Sequence, residues 1–327
     1  MREHLIGTRS RPLLRTPALL TAVMLSGAAF GIAAPQQAEP AKEATAAATY
    51  VGAEVCQTCH EDIFNAFQKS PHQAVNLDKK RGWEGRACES CHGPGSKHAE
   101  SGSAEEIRNP SKLNPAATDR TCLQCHLNQP TQAGRILSSH AKNQVSCTAC
   151  HSIHANGRRG LVARKPAAIN EQCSACHLSA WAQFQKPYKH RVTEGAMSCV
   201  DCHNPHGSFR PAMTRTFAAN EPGCFKCHAN LRGPFTFEHA PVRFESCSRC
   251  HEPHGSANPR MLIRQQVRFV CLECHANLPA QGSSLNPQAA LGVVPPAFHD
   301  LRSPRYQNCT ICHQKIHGSH VDGNLLR

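Results

Sequence analysis

His190, then Ser198-Cys199-Val200-Asp201-Cys202-His203-Asn204-Pro205-His206-Gly207, is the stretch around which the rest of the chain is organised. Cys199, Cys202 and His203 form a C-x-x-C-H motif, the attachment signature of c-type haem. Two thiols at that spacing reach the two vinyl groups of one porphyrin as thioethers. The adjacent imidazole then meets the iron from the same side. His190 and His206 flank the motif as spare imidazoles able to ligate iron from the opposite face.

The motif recurs along nearly the whole chain. Its thioether positions are Cys56 and Cys59, Cys88 and Cys91, Cys122 and Cys125, Cys147 and Cys150, Cys173 and Cys176, Cys199 and Cys202, Cys224 and Cys227, Cys247 and Cys250, Cys271 and Cys274, and Cys309 and Cys312. Its proximal imidazoles are His60, His92, His126, His151, His177, His203, His228, His251, His275 and His313. These motifs consume all 20 cysteines. Zinc knuckles would pair two C-x-x-C units without a histidine after each, and a disulfide framework would show no preference for a following histidine. The pattern therefore implies ten covalently bound haem c groups.

Successive first cysteines lie 32, 34, 25, 26, 26, 25, 23, 24 and 38 residues apart. So few residues per haem are too few for a conventional apolar core, so the porphyrins must supply it and each spacer wraps its own haem. Histidines outside the motifs reveal a longer period. Cys147 is flanked by His140 and His154, Cys199 by His190 and His206, Cys247 by His239 and His254, and Cys309 by His299 and His317. The motifs at Cys122, Cys173, Cys224 and Cys271 lack such a pair. The unit is thus a two-haem module of roughly 50 residues. The first module keeps the count with His72 and His98. These ten histidines are the candidate distal ligands, and which of them serves which haem stays open at this level. His206 follows His203 by three residues and emerges on the same porphyrin face, so it is expected to reach a neighbouring haem. His320 is an eleventh candidate; His206, His254 and His317 are each followed by Gly and His320 is not, which favours His317.

Residues 1–34 read as an export signal, with Arg2, Arg9, Arg11 and Arg15 ahead of an apolar run rich in small residues from Ala18 to Ala34. The alternative is an uncleaved anchor, for which the apolar run is short. Residues 35–49 are an Ala-, Pro- and Gln-rich disordered linker. The decahaem region spans 50–327, in modules of about 50–121, 122–172, 173–223, 224–270 and 271–320. The expected fold is mainly irregular with short α-helices and little or no β-sheet, an elongated wire of about five two-haem modules. Helices are expected over Glu61 to Lys69, Leu178 to Lys186 and Met261 to Val270. The 23 prolines and 21 glycines leave the remainder as loop.

The formal charge of +13 invites a nucleic-acid partner, but about twenty haem propionates offset it and pair with the basic residues instead. Chemistry at iron requires an open coordination position, as in multihaem nitrite or hydroxylamine-type enzymes. Every motif here ends in His, with eleven candidates for ten distal positions, and the region after the signal holds only Met197, Met213 and Met261. The chain reads as a bis-histidine electron carrier with no catalytic residue.

Ten motifs, an export signal, Lys69-Ser70-Pro71-His72, Cys91-His92-Gly93-Pro94-Gly95 and an ending Ile316-His317-Gly318-Ser319 resemble one family over essentially the whole mature chain. It is similar to the MtrA/DmsE-type periplasmic decahaem cytochromes of porin–cytochrome electron conduits. The resemblance implies a periplasmic protein associated with the outer membrane, inserted in a β-barrel porin. It implies passage of electrons between a periplasmic or inner-membrane cytochrome and an outer-surface multihaem cytochrome or extracellular mineral or metal. Metal reduction, iron(II) oxidation and sulfoxide-type respiration are all compatible with it. The competing readings are a soluble periplasmic shuttle to a terminal reductase and a membrane-anchored quinol-oxidase subunit.

Overall fold

Each attachment motif imposes one turn of helix, and the fold is built from those turns. The computed structural model describes residues 47–154, 165–218, 221–275 and 304–327. The export signal, nearly all of the linker and His299 lie outside them. In the motif turns the His backbone N–H bonds the carbonyl of the first Cys, as in His60 to Cys56 (3.0 Å), His151 to Cys147 (2.9 Å) and His251 to Cys247 (3.0 Å). This i to i−4 closure puts two sulfurs and one imidazole on one side of the turn.

The remaining secondary structure is short because its punctuation is dense. The longest helix, Pro115–His126, has Pro at its first position and Asn114 as its cap, whose side chain accepts from Ala117 N at 2.9 Å. It runs directly into the third motif. Pro166–Ser174 does the same for the fifth. The expected helix from Glu61 is observed as Glu61–Phe67, ending where Ser70 turns extended before Pro71. Leu178–Gln183 matches the second expectation. The third is corrected. Helix occupies Val267–Leu272, while Arg260 and Met261 take left-handed φ values of 58° and 57° in a turn that serves His251. Among the described residues there is no strand, only five isolated antiparallel bridges.

Buried apolar residues are few: Ala53, Ala66, Phe67, Ala87, Phe184, Val192 and Phe225. Polar side chains do much of the internal fastening. The Glu89 carboxylate, 1% exposed, accepts from the backbone N–H of Val51 (3.0 Å), Gly52 (3.0 Å) and Gly95 (2.9 Å). Asp119 forms a buried ion pair with Arg135 and accepts from Cys147 N at 2.9 Å. Asn170 occupies the same place in the next module, accepting from Cys199 N at 3.0 Å while donating to the carbonyls of Val192 (2.8 Å) and Met197 (2.9 Å). Each stands three residues before an odd-numbered motif and holds the first Cys of the following one.

A second repeat follows the sixth and eighth motifs and returns in altered form after the tenth. His-Gly-Ser turns the chain, and a returning segment then pairs with the motif. Ser208 Oγ donates to Thr214 O at 2.9 Å and Ser256 Oγ to Leu262 O at 2.7 Å; Ser319 Oγ donates to Arg327 O. Arg215 N bonds Cys202 O at 2.7 Å, and Ile263 N bonds Cys250 O at 3.0 Å. Residues in left-handed conformation head these turns: Ala212 and Met213, Arg260 and Met261, and Leu325. Such conformations cost on the order of 1–3 kcal/mol each and persist where surrounding contacts over-determine them.

Candidate functional site

Numbered in chain order, the motifs define ten sites. In nine of them the proximal imidazole faces one further histidine, with ring centres about 6 Å apart. The pairs are His60 with His98 (6.1 Å), His92 with His154 (5.8 Å), and His126 with His72 (6.0 Å). Next come His151 with His206 (5.9 Å), His177 with His140 (6.0 Å), and His203 with His254 (5.9 Å). The last are His228 with His190 (6.2 Å), His251 with His317 (6.2 Å), and His275 with His239 (6.4 Å). Two imidazoles each about 2 Å from one metal put their ring centres roughly 6.3 Å apart, so this spacing fits one iron between each pair. The nine second members are all among the ten expected distal histidines. The tenth, His299, lies outside the described residues. His320 packs on Phe235 instead, with ring centres 5.2 Å apart.

The pairing crosses module boundaries. The histidine after motif 4 faces motif 2, that after motif 6 faces motif 4, that after motif 8 faces motif 6, and that after motif 10 faces motif 8. The histidines before motifs 2, 4, 6 and 8 face motifs 3, 5, 7 and 9. Both histidines of each central module point at neighbouring modules, as the sequence predicts for His206 alone. For the histidines after the motifs the reason is local, since a histidine three residues past a motif leaves on the proximal side of its own porphyrin.

Carbonyl oxygens fix the imidazoles from behind. Nδ1–H of His203 donates to Ala212 O (2.8 Å), that of His251 to Arg260 O (2.9 Å) and that of His313 to Asn324 O (2.7 Å). The left-handed turns bring those carbonyls into place. His140 donates to Pro205 O (2.9 Å) and His190 to Pro253 O (2.8 Å), the residues just before His206 and His254. His239 likewise bonds the backbone of Ile316, just before His317. A carbonyl only accepts, so Nδ1 carries the proton and Nε2 keeps its lone pair for metal. Burial also holds His72, His92, His154, His206, His239, His254, His275 and His317 below the usual imidazole range, favouring the neutral ligand form.

The sulfurs join the sites into a series. The thiol of Cys56 interacts with that of Cys88, Cys122 with Cys147, Cys173 with Cys199, Cys224 with Cys247, and Cys271 with Cys309. The adjacent thiol lowers one member of each pair, Cys56 to about 7 and Cys224 to about 6, and raises the other. Thioether formation removes those protons; the adjacency is what remains. Between these couples, Cys91 lies within electrostatic range of Cys122 and Cys125, Cys173 of Cys150, Cys202 of Cys224 and Cys227, and Cys250 of Cys274. Every site thus neighbours the next, from the first motif to the tenth. No cysteine is fully buried, so the thiols are open to a porphyrin. Among the described residues no group of three or more His, Cys, Asp or Glu converges as a metal cage.

Reading residue types along the chain missed the carbonyl acceptors and the polar fasteners. The −3 offset of Asp119 and Asn170 before Cys122 and Cys173, and the Ser after His206-Gly207, His254-Gly255 and His317-Gly318, were the signals that could have found the fasteners.

Comparison with known proteins agrees with this geometry. Residues 190–233 and 239–280 match the family described as a doubled CXXCH motif, and residues 88–162 match the cytochrome c-type protein NrfB-like family. The chain is 36% identical over 288 residues to the multiheme cytochrome MtrA of Shewanella baltica (strain OS185), covering 84% of this chain and 81% of that one. A chain that carries covalently bound haem c on repeated C-x-x-C-H modules, and shares that identity over most of both lengths, belongs to the MtrA family of multihaem c-type cytochromes, which are electron-transfer proteins.

Proposed function

We propose that the chain is a periplasmic decahaem wire with bis-histidine ligation at every iron, carrying electrons across the outer membrane inside a β-barrel porin. Ten haem c groups would be held by the twenty motif cysteines, with the nine histidine pairs above as axial ligands and His299 with His313 completing the tenth. Bound haem supplies an iron that cycles between ferric and ferrous. The chain's own residues would hold each iron from both faces, orient several of the imidazoles through a carbonyl at Nδ1, and bring consecutive sites together. With both axial positions taken by side chains of the same protein, substrate finds no place at the metal.

The observation that carries the reading is the unbroken series of histidine pairs, each neighbouring the next in chain order. A series has use when its ends meet different partners: a periplasmic or inner-membrane cytochrome at one, an outer-surface multihaem cytochrome, mineral or metal at the other. No helix among the described residues is long and apolar enough to cross a membrane. A mean hydropathy of −0.45 suits a polar barrel lumen rather than lipid. The test is reconstitution with the candidate barrel in liposomes enclosing a redox dye. External reductant should reduce the dye when both proteins are present and not with either alone. A cytochrome that never associates with a barrel, yet exchanges electrons with a soluble reductase, is a periplasmic shuttle instead.

A further inference from the structure

Site 3 combines three features that no other described site shows together. Nδ1 of His72 is buried without a hydrogen-bond partner, the one such histidine nitrogen among the described residues. Its counterparts in the next three modules, His140, His190 and His239, are each held by the carbonyl just before a downstream histidine. At the first junction the corresponding downstream histidine is His154, which is followed by Ala155 rather than Gly. The rings of His72 and His126 also cross at 69°, an angle shared by site 7, whereas sites 5 and 6 are tilted at 52° and 49° and sites 1, 2, 4, 8 and 9 lie between 15° and 26°. Finally, Nη1 of Arg81 sits 3.0 Å from Cys125 Sγ, one of the two sulfurs that attach the third haem. Asp78, 3.3 Å from Arg81 Nε, offsets part of that charge.

All three features act on the same equilibrium in the same direction. An imidazole that donates Nδ1–H to a carbonyl becomes a more basic ligand and stabilises ferric iron; His72 lacks that support. Near-parallel imidazoles raise one iron d orbital above its partner and stabilise the ferric hole there, and crossed rings forgo that splitting. A cation at the porphyrin edge favours the added electron. Site 7 shares the crossed rings, but His190 there is anchored to Pro253 O at 2.8 Å.

We infer that site 3 has the highest reduction potential of the nine described sites, an electron-holding position just past the first module junction. The step is a one-electron reduction of ferric iron, the electron arriving from site 2 or site 4. This inference rests on the bis-histidine reading proposed above. An electron resting there keeps the N-terminal part of the series charged between encounters with its partners.

The test is a reductive titration of the holoprotein followed together by visible absorbance and electron paramagnetic resonance. Near-parallel imidazoles give the ordinary rhombic low-spin ferric signal, and crossed imidazoles give a broad one at higher g. The first reduction step should comprise one haem and be lost from the crossed-ring signal. Arg81→Gln should move that step to lower potential by roughly three- to tenfold in occupancy, tenfold being about 59 mV for one electron. Lys79→Gln, on the same loop, should leave it in place and shows that the shift is not a general loss of positive charge. A first electron taken from the near-parallel signal, or a first step unmoved by Arg81→Gln, overturns the inference alone. A high-spin signal in the resting protein overturns the bis-histidine reading and this inference with it.

Discussion

At the residue scale, each site is a division of labour between a motif histidine and a histidine borrowed from elsewhere in the chain. His206 follows the sixth motif yet faces His151 of the fourth. His206→Ala should therefore leave all thioethers intact and convert one haem to high spin. The affected haem is identified by a second background: with Cys147 and Cys150 replaced by Ser, His206→Ala should add no high-spin signal, whereas with Cys199 and Cys202 replaced it should. The Asp119–Arg135 pair is the most buried ion pair described, its side chains 12% and 5% exposed. Asp119→Ala strands the Arg135 guanidinium and the Cys147 N–H together, so a loss of roughly 3–5 kcal/mol in unfolding free energy is expected by denaturant titration. Asn170→Ala removes hydrogen bonds but leaves no charge behind. It should cost less, about 1–3 kcal/mol.

At the scale of elements, the His-Gly-Ser turn is the joint between modules. Gly207 has φ of 103°, and a Cβ there would meet the backbone of Gly134 and the Ser138 side chain of the preceding module. Gly255, at φ 147°, approaches the Gln183 carbonyl in the same way, and Gly318 approaches the Phe235 ring. Each glycine holds one ligand, and the carbonyl before that ligand anchors the distal histidine of the adjoining site. Gly255→Ala is accordingly expected to loosen His254 and His190 together. Magnetic measurements should find two haems, at sites 6 and 7, with weakened ligation. A change confined to one site would mean that the joint does not couple its two ligands. Local tolerance to change should differ elsewhere: the exposed Arg249–Glu245 pair (57% and 43% exposed) should matter little, within the ~0–1 kcal/mol usual for surface pairs.

At the scale of the whole molecule, exchanging histidines makes the modules interdependent. Ordinary repeat proteins interact with neighbours through packing alone; here, on the proposed bis-histidine ligation, each central module would also complete the metal sites of the modules before and after it. A chain ended at Gly223 retains six motifs but lacks His254, the histidine facing His203. Intact mass should show six haems on that fragment, and its spectrum one high-spin iron. The uninterrupted mature chain should carry ten haems in intact mass and show no high-spin signal at rest. Nine haems, or a resting high-spin fraction, would sink the decahaem bis-histidine reading.

The cysteine and histidine spacings alone determined the chemistry: ten attachment motifs, a two-haem period, an irregular helical fold without strands among the described residues, and ten named candidates for the far side of the irons. These follow from covalent and coordination rules that act over three to five residues, so a linear reading captures them. Even the exclusion of His206 from its own haem follows from local direction, because three residues of chain cannot carry a side chain around a porphyrin. What the tertiary structure decided is the pairing. His140 reaches past motif 4 to motif 5, and His254 reaches back to motif 6, because the His-Gly-Ser turn docks on the module before it. That docking depends on a close backbone approach at Gly207 and Gly255 and on the carbonyls of Pro205 and Pro253 behind His140 and His190, contacts whose hydrogen bonds span 63 to 71 residues of chain. No periodicity encodes them. The crossing angles of the imidazoles, and the unanchored nitrogen of His72, belong to the same class: they are set by which backbone happens to lie behind each ring, and only folding brings that backbone there.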